Sequence, residues 1–210
     1  MRSGGVTMYS KLTKYDIDLI GYDHTREYVQ LEVENYCTSD TLVLHPHDPT
    51  TDFLRAIYED KGWDVINEPL IRPEQVTRLI KKHDRVVMLG HGTPEGLFGG
   101  FGFLIEENQV PALKAKTVIA IWCHANQFVE KHGLKGFYSG MFISELPEAW
   151  LYGIGNTDEQ AIEFSNDLFA VTLGKYVDSD NLLDRVKAEY FSEHDPVIRF
   201  NQSRLYHNDH

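Results

Sequence analysis

From residue 41 onward, the sequence alternates short apolar runs with amphipathic stretches. The apolar runs are rich in Val, Ile and Leu, as expected for strands that are buried on both faces. The amphipathic stretches repeat apolar residues three or four positions apart, which is the spacing of a helix that packs on a sheet. This alternation predicts an α/β protein, a three-layer αβα sandwich built on a mostly parallel sheet.

The apolar runs predict six strands, and the first four are expected to form the core of the sheet in the order 2-1-3-4. These core strands are 41–45, 63–68, 85–90 and 117–122, and two further strands are expected at 137–144 and 149–154. The segment 92–103 is too rich in glycine for a regular element, so it is interpreted as a surface loop with room for a short hairpin.

Helix starts are indicated by capping residues that stand before apolar stripes. The expected helices start at Thr51 or Asp52 (stopping at Gly62), at Pro73, after Asn156 or Thr157, and at about Asp180, with a weaker one at 107–116. In the helix after Asn156, the predicted buried stripe consists of Ala161, Phe164, Leu168 and Val171.

The length of 210 residues is enough for one well-filled core. No internal repeat, low-complexity segment or linker divides the chain, so residues 41–210 are predicted to form a single domain. Residues 1–40 are interpreted as an N-terminal extension, in which a β-hairpin can turn near Asp23 and His24.

The charge balance limits the kinds of partner that the chain can have. Acidic residues outnumber basic ones by 32 to 20, giving a formal net charge of −12, which argues against a nucleic-acid partner. Two cysteines do not make a disulfide framework, so a reducing compartment is favoured. No apolar run has the length of a signal peptide core or a bilayer span. We therefore expect a soluble, cytoplasmic protein with no membrane partner.

Two of the predicted core strands end in residues that can carry chemistry. Strand 85–90 is followed by His91 and strand 117–122 by Cys123. In an open parallel sheet, ligands bind beyond the carboxyl ends of the strands, and neighbouring strands lie about 4.8 Å apart. A lone cysteine at a strand end is usually a small buried apolar residue. The pairing with a histidine on the preceding strand instead favours a catalytic dyad.

The chemistry of a thiol explains why this pairing matters. A free thiol is only a few per cent thiolate at neutral pH, so a cysteine nucleophile needs a nearby base, and His91 is the predicted base for Cys123. Gly92 has no Cβ, so its backbone N–H can approach a substrate carbonyl closely. With the N–H of Cys123, it forms the predicted two-donor oxyanion hole. This chemistry needs no cofactor.

The order of apolar strand, His-Gly, helix, apolar strand and Cys resembles the caspase–haemoglobinase superfamily of cysteine peptidases. That group includes caspases, metacaspases, clostripain, gingipains, legumain and the CHAT domains. "VVMLGHG" is similar to its histidine motif and "TVIAIWCHAN" to its cysteine motif, and the resemblance covers residues 41–175. It implies a caspase-like fold that cleaves peptides or proteins through a thioester. His91 would be the acid and base, Cys123 the nucleophile and Gly92 an oxyanion donor.

One position departs from the pattern of that group. Metacaspases and clostripain-like enzymes have an acidic residue two positions before the cysteine, which helps to bind a basic P1 side chain, but this chain has Ile121. Ser144 and Glu145 are therefore predicted to line the substrate pocket, with Asp48 reaching it from the loop after the first strand. On this basis a basic P1 residue is favoured over a small or apolar one.

Two alternative functions also fit the sequence. The stretch "HPHD" offers ligands for a metal-dependent hydrolase, namely His45, His47 and Asp48, together with His91 or His124. Against this, the stretch has the prolines of a turn and no recognised zinc-binding spacing is present. The other alternative is a non-catalytic binding or regulatory module on the same fold. The presence of both His and Cys at the strand ends favours an enzyme.

Overall fold

A computed structural model describes residues 31–209 of the chain. Over these residues the predicted α/β class is confirmed, because a six-stranded, mostly parallel sheet has helices packed on both faces. The hairpin predicted near Asp23 and His24 lies outside the described residues. Between residues 31 and 209, no helix combines the length and the apolar character needed to cross a membrane.

The strands within residues 31–209 form two separate sheets. They are β1 Thr41–Leu44, β2 Asp64–Ile66, β3 Arg85–Leu89, β4 Gly92–Thr93, β5 Gly96–Gly99, β6 Gly102–Ile105, β7 Thr117–Ile121, β8 Lys135–Ser139 and β9 Leu205–Asn208. The main sheet has the order β2-β1-β3-β7-β8-β9, in which only β9 runs antiparallel to its neighbour. The predicted core order 2-1-3-4 is confirmed as β2-β1-β3-β7.

The helices alternate with the strands of the main sheet. They are α1 Pro73–Lys82, α2 Val110–Leu113, α3 Ala125–His132, α4 Leu146–Leu151, α5 Glu159–Tyr176, α6 Leu182–Glu189 and α7 Pro196–Gln202, with 3₁₀ helices at Val33–Tyr36, Pro49–Ile57 and Glu107–Gln109. As predicted, α1 opens with Pro73 in its first turn and buries Val76, Leu79 and Ile80. The fixed φ of proline suits the first helical position, where its missing N–H costs no hydrogen bond.

Successive residues of the central strands face two different hydrophobic layers. In β1, Leu42 and Leu44 pack with α1 and α3 on one face, whereas Val43 packs with α5 and α6 on the other. All three side chains are fully buried. Burying a side chain of this size stabilises the fold by about 1.5–3 kcal/mol relative to leaving it exposed. The two helical layers therefore hold the central strands, and the residues at their ends, in a fixed position.

The segment predicted to start a helix at Thr51 or Asp52 instead forms the 3₁₀ helix Pro49–Ile57. It begins earlier than predicted because the Asp48 side chain accepts the backbone N–H of Thr50 and so caps the first turn. The segment then packs against α5. This arrangement fixes the chain that leaves β1 beside the carboxyl edge of the sheet.

The strand predicted at 149–154 is wrong, because Ala149, Trp150 and Leu151 belong to helix α4. The helix starts through a capping box, in which Glu145 and Glu148 accept each other's backbone N–H groups. Short apolar runs do not separate helix from strand by periodicity, so the capping residues decide. The strand predicted at 137–144 is shorter than expected and corresponds to β8.

The buried stripe predicted for the helix after Asn156 is also wrong. The side chains of Phe164 and Val171 are 60% and 57% exposed. The inward face of α5 is formed by Ile162, Phe169 and Leu173. Several of the other inward positions on α5 are polar, so the buried face does not show up in the sequence as apolar residues at a regular helical spacing.

Two further segments form more regular structure than predicted. The glycine-rich segment 92–103, interpreted as a surface loop, contributes the three-stranded antiparallel sheet β4-β5-β6 together with residues up to Ile105. The C-terminal segment, for which the sequence analysis predicts no strand, forms β9, in which His207 pairs with Phe137 at the edge of the main sheet.

The side chain of His83, at the end of α1, is fully buried. One ring nitrogen contacts the carbonyl oxygen of Leu79 at 2.7 Å and the other contacts the Asp64 carboxylate at 3.0 Å. The same carboxylate accepts the backbone N–H groups of Thr38 and Ser39. Burial acts to raise the pKa of Asp64, but these hydrogen bonds lower it below its ordinary value. These hydrogen bonds connect β2, the end of α1 and the residues that precede β1.

Candidate active site

The two segments with predicted catalytic residues meet at the same edge of the sheet. Strands β3 and β7 are adjacent and parallel, with Leu89 opposite Ile121 at their carboxyl ends. The backbone N–H of Gly90 donates to the Ile121 carbonyl at 3.1 Å, which extends the pairing by one residue. His91 and Cys123 therefore leave neighbouring strands at the carboxyl edge, as predicted from the order of the elements.

Cys123 sits in a tight connection between β7 and α3. The residue before it, Trp122, is buried and its indole N–H donates to the Thr93 carbonyl at 3.0 Å. The residue after it, His124, has a left-handed backbone with φ of 68° and donates its N–H to the Gly140 carbonyl. Such backbone geometry is uncommon outside glycine and clusters at functional sites. The connection holds Cys123 at the sheet edge between two anchored residues.

The Cys123 thiol has two hydrogen-bond acceptors in this arrangement. Its Sγ lies 3.5 Å from the carbonyl oxygen of Phe142 and 3.8 Å from Oε1 of Glu148. Burial, reinforced by the negative charge of Glu148, raises the pKa of the Cys123 thiol to about 12. The thiol is therefore protonated at neutral pH in this conformation.

Glu148 is a site residue that the sequence analysis missed. Its Oε2 accepts the backbone N–H groups of Ser144 and Glu145 at 2.8 and 3.2 Å, so that Oε1 faces the thiol. Burial raises the pKa of Glu148 even though these N–H groups oppose the shift. The signal in the sequence was the Glu-Leu-Pro-Glu spacing of a capping box, but the apolar run that follows it, 149–154, is predicted as a strand in the sequence analysis.

His91 is positioned by a short chain of hydrogen bonds from the loop after β1. Its Nε2 lies 2.6 Å from the hydroxyl of Thr50, which also lies 2.8 Å from the Asp48 carboxylate. A carboxylate only accepts, so Thr50 donates to Asp48 and accepts from His91. This pattern assigns the ring proton to Nε2 and leaves Nδ1 as the basic nitrogen.

The predicted roles of Asp48 and of the dyad are modified by this geometry. Asp48, predicted to line the substrate pocket, lies 4.0 Å from His91 Nε2 and orients it through Thr50. Among the described residues, no hydrogen bond joins His91 to Cys123. A protonated His91 would act to lower the pKa of Glu148, against the larger effect of burial, and Glu148 in turn contacts Cys123. The three side chains therefore form one electrostatic cluster.

Gly92, the predicted oxyanion donor, follows His91 in β4. A Cβ at this position would collide with the ring of Trp122 and with the carbonyl oxygen of Gly96, so no side chain fits. The Phe98 N–H donates to the His91 carbonyl, which places Gly92 at a non-hydrogen-bonded position opposite Leu97. At such a position the backbone N–H points away from the paired strand, which is the orientation that a donor to a substrate requires.

The predicted pocket residues Ser144 and Glu145 are connected to the thiol by Glu148, which accepts their backbone N–H groups and contacts Cys123. The hydroxyl of Ser144 donates to Glu148 at 3.3 Å. Glu145 is exposed and caps α4, but its negative charge also acts to raise the pKa of Cys123. Two carboxylates therefore lie near the nucleophile, one partly buried (Glu148) and one exposed (Glu145).

Comparisons of this chain with known proteins give no match. It matches no protein-family model, no curated protein and no solved structure. Assignment of a function therefore depends on the geometry of the site.

The geometry gives little support to the alternative metal site. Both ring nitrogens of His45 are engaged, at 2.9 Å from the Tyr58 hydroxyl and 3.2 Å from that of Thr51. Burial lowers the pKa of His45 to about 4, so the ring is neutral. His47 is exposed and lies 3.7 Å from Asp52. Over residues 31–209, no three His, Cys, Asp or Glu side chains are grouped so that they could hold a metal ion.

Removing the charge of Glu148 is expected to activate the thiol. In the wild type, the Cys123 alkylation rate should keep rising above pH 9, because the raised pKa keeps the thiol protonated. Glu148→Gln should increase the rate of alkylation by iodoacetamide at pH 8 about tenfold, which corresponds to a pKa about one unit lower. Mass spectrometry of the Cys123 peptide measures the rate, and Glu145→Gln serves as the matched control. An unchanged rate in Glu148→Gln would contradict the electrostatic role.

Proposed function

We propose that this protein is a cysteine hydrolase that cleaves peptide bonds with Cys123 as nucleophile and His91 as base. One observation carries this proposal: both residues follow adjacent parallel strands, and the loop after β1 orients His91 through Thr50 and Asp48. A thiol and a hydrogen-bonded imidazole that leave neighbouring strands at one sheet edge are the residue types that nucleophilic catalysis by a cysteine uses. The order of the two motifs also supports a relationship to the caspase–haemoglobinase superfamily.

The proposed reaction begins with transfer of the Cys123 proton to Nδ1 of His91. The thiolate then attacks the carbonyl carbon of the substrate, and the N–H groups of Gly92 and Cys123 stabilise the oxyanion. The tetrahedral intermediate collapses when the C–N bond breaks and His91 returns its proton to the leaving amine. A water molecule, deprotonated by His91, hydrolyses the thioester and releases the acid and the free thiol.

The hydrogen bonds of Cys123 correspond to a resting form of this proposed enzyme. The thiol faces Phe142 and Glu148 and is protonated, so it has to rotate toward His91 before proton transfer. A substrate that neutralises Glu148 would remove one cause of the raised thiol pKa. Binding of a cationic side chain would therefore favour the reactive form of Cys123.

This coupling favours substrates with a basic residue next to the cleaved bond. The carboxylates of Glu148 and Glu145 flank the nucleophile, and they replace the acidic residue that is absent at Ile121. The net charge of −12 also favours the approach of cationic peptides. Because Glu148 is partly buried and Glu145 is exposed, solvent screens the charge of Glu145 more strongly.

Reporter peptides with arginine or leucine at P1 test this preference. In Glu148→Gln, kcat/KM for the arginine reporter should fall at least about tenfold, whereas kcat/KM for the leucine reporter should not fall, because loss of the Glu148 charge also makes the thiol easier to deprotonate. Glu145→Gln should lower the arginine reporter only about twofold, in keeping with its exposure. Equal losses on both reporters in Glu148→Gln would exclude a role in charge recognition and leave a structural role.

The proposed function itself is tested with a peptide-based thiol electrophile. The electrophile should label Cys123 in the wild type, and His91→Ala should abolish labelling at neutral pH. Turnover that is lost with EDTA and restored by zinc would favour the metal-dependent alternative. An absence of both labelling and turnover over a broad peptide library would favour the non-catalytic alternative.

A further inference from the structure

A second concave site lies at the carboxyl ends of β1 and β2, where ligands of open α/β sheets bind. It encloses about 300 Å³, which is within the range of small-molecule sites. Its wall comes from the end of β1, the segment that follows, and β2, and does not include Cys123 or His91. The residues that matter for its chemistry are His45, Asp52, Arg55, Tyr58, Glu59 and Trp63.

The side chains at the floor of this cavity are held in place by contacts within the protein. His45 and Tyr58 are buried and hydrogen-bonded to each other at 2.9 Å, so both are fixed in place. The Arg85 guanidinium lies 4.6 Å from the ring centre of Trp63, which restrains the indole from outside the cavity. The indole of Trp63 and the side chain of Val65 give the cavity an apolar wall.

Charges of opposite sign face the same space. Arg55 and Glu59 line the cavity one turn apart, yet neither forms an ion pair with the other or with any other residue of the described chain. Asp52 adds a second carboxylate, which lies 3.7 Å from His47. The carboxylates disfavour a polyanion, and the guanidinium disfavours a simple organic cation. The ligand that satisfies both charges has a carboxylate and an ammonium group.

We propose that this cavity binds a free amino acid with an apolar side chain. The carboxylate pairs with the guanidinium of Arg55, whose planar fork matches it. The ammonium group lies between Glu59 and Asp52, and the side chain packs against Trp63. This proposal is independent of the peptidase function, because no residue of the cavity wall belongs to the proposed catalytic dyad.

Calorimetric titration of the full chain with L-phenylalanine and L-leucine tests the proposal. Each blocked analogue should bind at least about tenfold more weakly than phenylalanine, since each lacks one charge that the cavity pairs. The analogues are L-phenylalaninamide, which lacks the carboxylate, and N-acetyl-L-phenylalanine, which lacks the ammonium group. No saturable binding of either amino acid at about 10 mM, or equal binding of phenylalanine and both analogues, would overturn the proposal.

Variants locate the binding on this cavity. Arg55→Gln and Glu59→Gln should each weaken phenylalanine at least about tenfold, because each removes one charge partner. Asp60→Asn is the matched control, since Asp60 is exposed on the same turn but does not line the cavity. Cys123→Ala should bind phenylalanine as the wild type does, so that failure of the peptidase proposal leaves this one intact. Phenylalanine affinity that is unchanged in Arg55→Gln and Glu59→Gln would place the ligand elsewhere and overturn it.

Discussion

Replacing Cys123 by alanine is expected to reduce cleavage of a peptide reporter at least about a thousandfold, because the variant has no atom to form the thioester. The fold should remain intact, since the change removes one sulfur atom from a partly exposed position at the sheet edge. The free energy of unfolding should stay within about 1 kcal/mol of the wild type in a urea titration. Steady-state kinetics at neutral pH measure the loss of activity.

The supporting variants separate catalysis from folding. His91→Ala should cause a loss similar to that of Cys123→Ala, because it removes the proposed base that takes the proton of the thiol. Thr50→Val keeps the shape of the side chain but removes the hydroxyl that holds Nε2, so an intermediate loss of about tenfold is expected. Cys37→Ala is the control and should retain full activity, as Cys37 is exposed and its thiol donates to the Val33 carbonyl. Full activity of Cys123→Ala would remove the proposed mechanism.

The neighbouring positions of His91 and Cys123 were predictable because they follow from the order of the elements. Short apolar runs joined by helices leave few arrangements for a parallel sheet, and the connections in such sheets are right-handed. The register that places Leu89 opposite Ile121 then brings both strand ends to one edge. His91 and Cys123 follow these strand ends in the sequence. The apolar pattern and the sheet topology were therefore enough to predict that both residues lie at the same edge of the sheet.

The remainder of the site depends on contacts between distant segments. Thr50 and His91 are separated by 41 positions, and nothing local in either sequence indicates their hydrogen bond. Glu148 was missed for a different reason: the apolar run after it was interpreted as a strand, although Trp150 and Leu151 are about 60% exposed. Apolar residues that face solvent carry no information about the buried face. The capping box was the better signal, because it follows from the backbone chemistry of helix starts.

The same limit applies to the helix that covers the other face of the sheet. The polar side chains of Ser165, Asn166 and Thr172 are buried on α5, while Phe164 and Val171 face outward. A buried hydroxyl such as that of Ser165 is compensated by a partner from another element, here the Tyr190 hydroxyl at 2.8 Å. Sequence periodicity counts such residues as surface positions, so it assigned the wrong face to this helix.

The largest effect on stability is expected from Gly136→Ala in the middle of β8. Gly136 has a φ of 134°, which residues with a Cβ rarely adopt, and a Cβ there would collide with the backbone carbonyl of Val118 in β7. Val118 is the partner of Gly136 in the sheet, and Asn208 of β9 pairs on the other side, so β8 cannot move away without losing one ladder. The free energy of unfolding should fall by about 3 kcal/mol or more, as judged by the urea midpoint.

Gly155→Ala is the matched control for this experiment, because a Cβ at Gly155 meets no atom within 4 Å and its φ is not in the left-handed region. Its midpoint should equal that of the wild type or rise slightly, since alanine reduces the entropy of the unfolded chain. The contrast tests the local structure of β8, because the two positions differ in the close backbone contact with β7 and in the φ of 134° at Gly136. If Gly136→Ala unfolded at the wild-type urea concentration, β8 would not pair with β7 at this register. The Gly140 carbonyl, which follows β8 and accepts the His124 N–H, would then lose the position that holds the turn at Cys123.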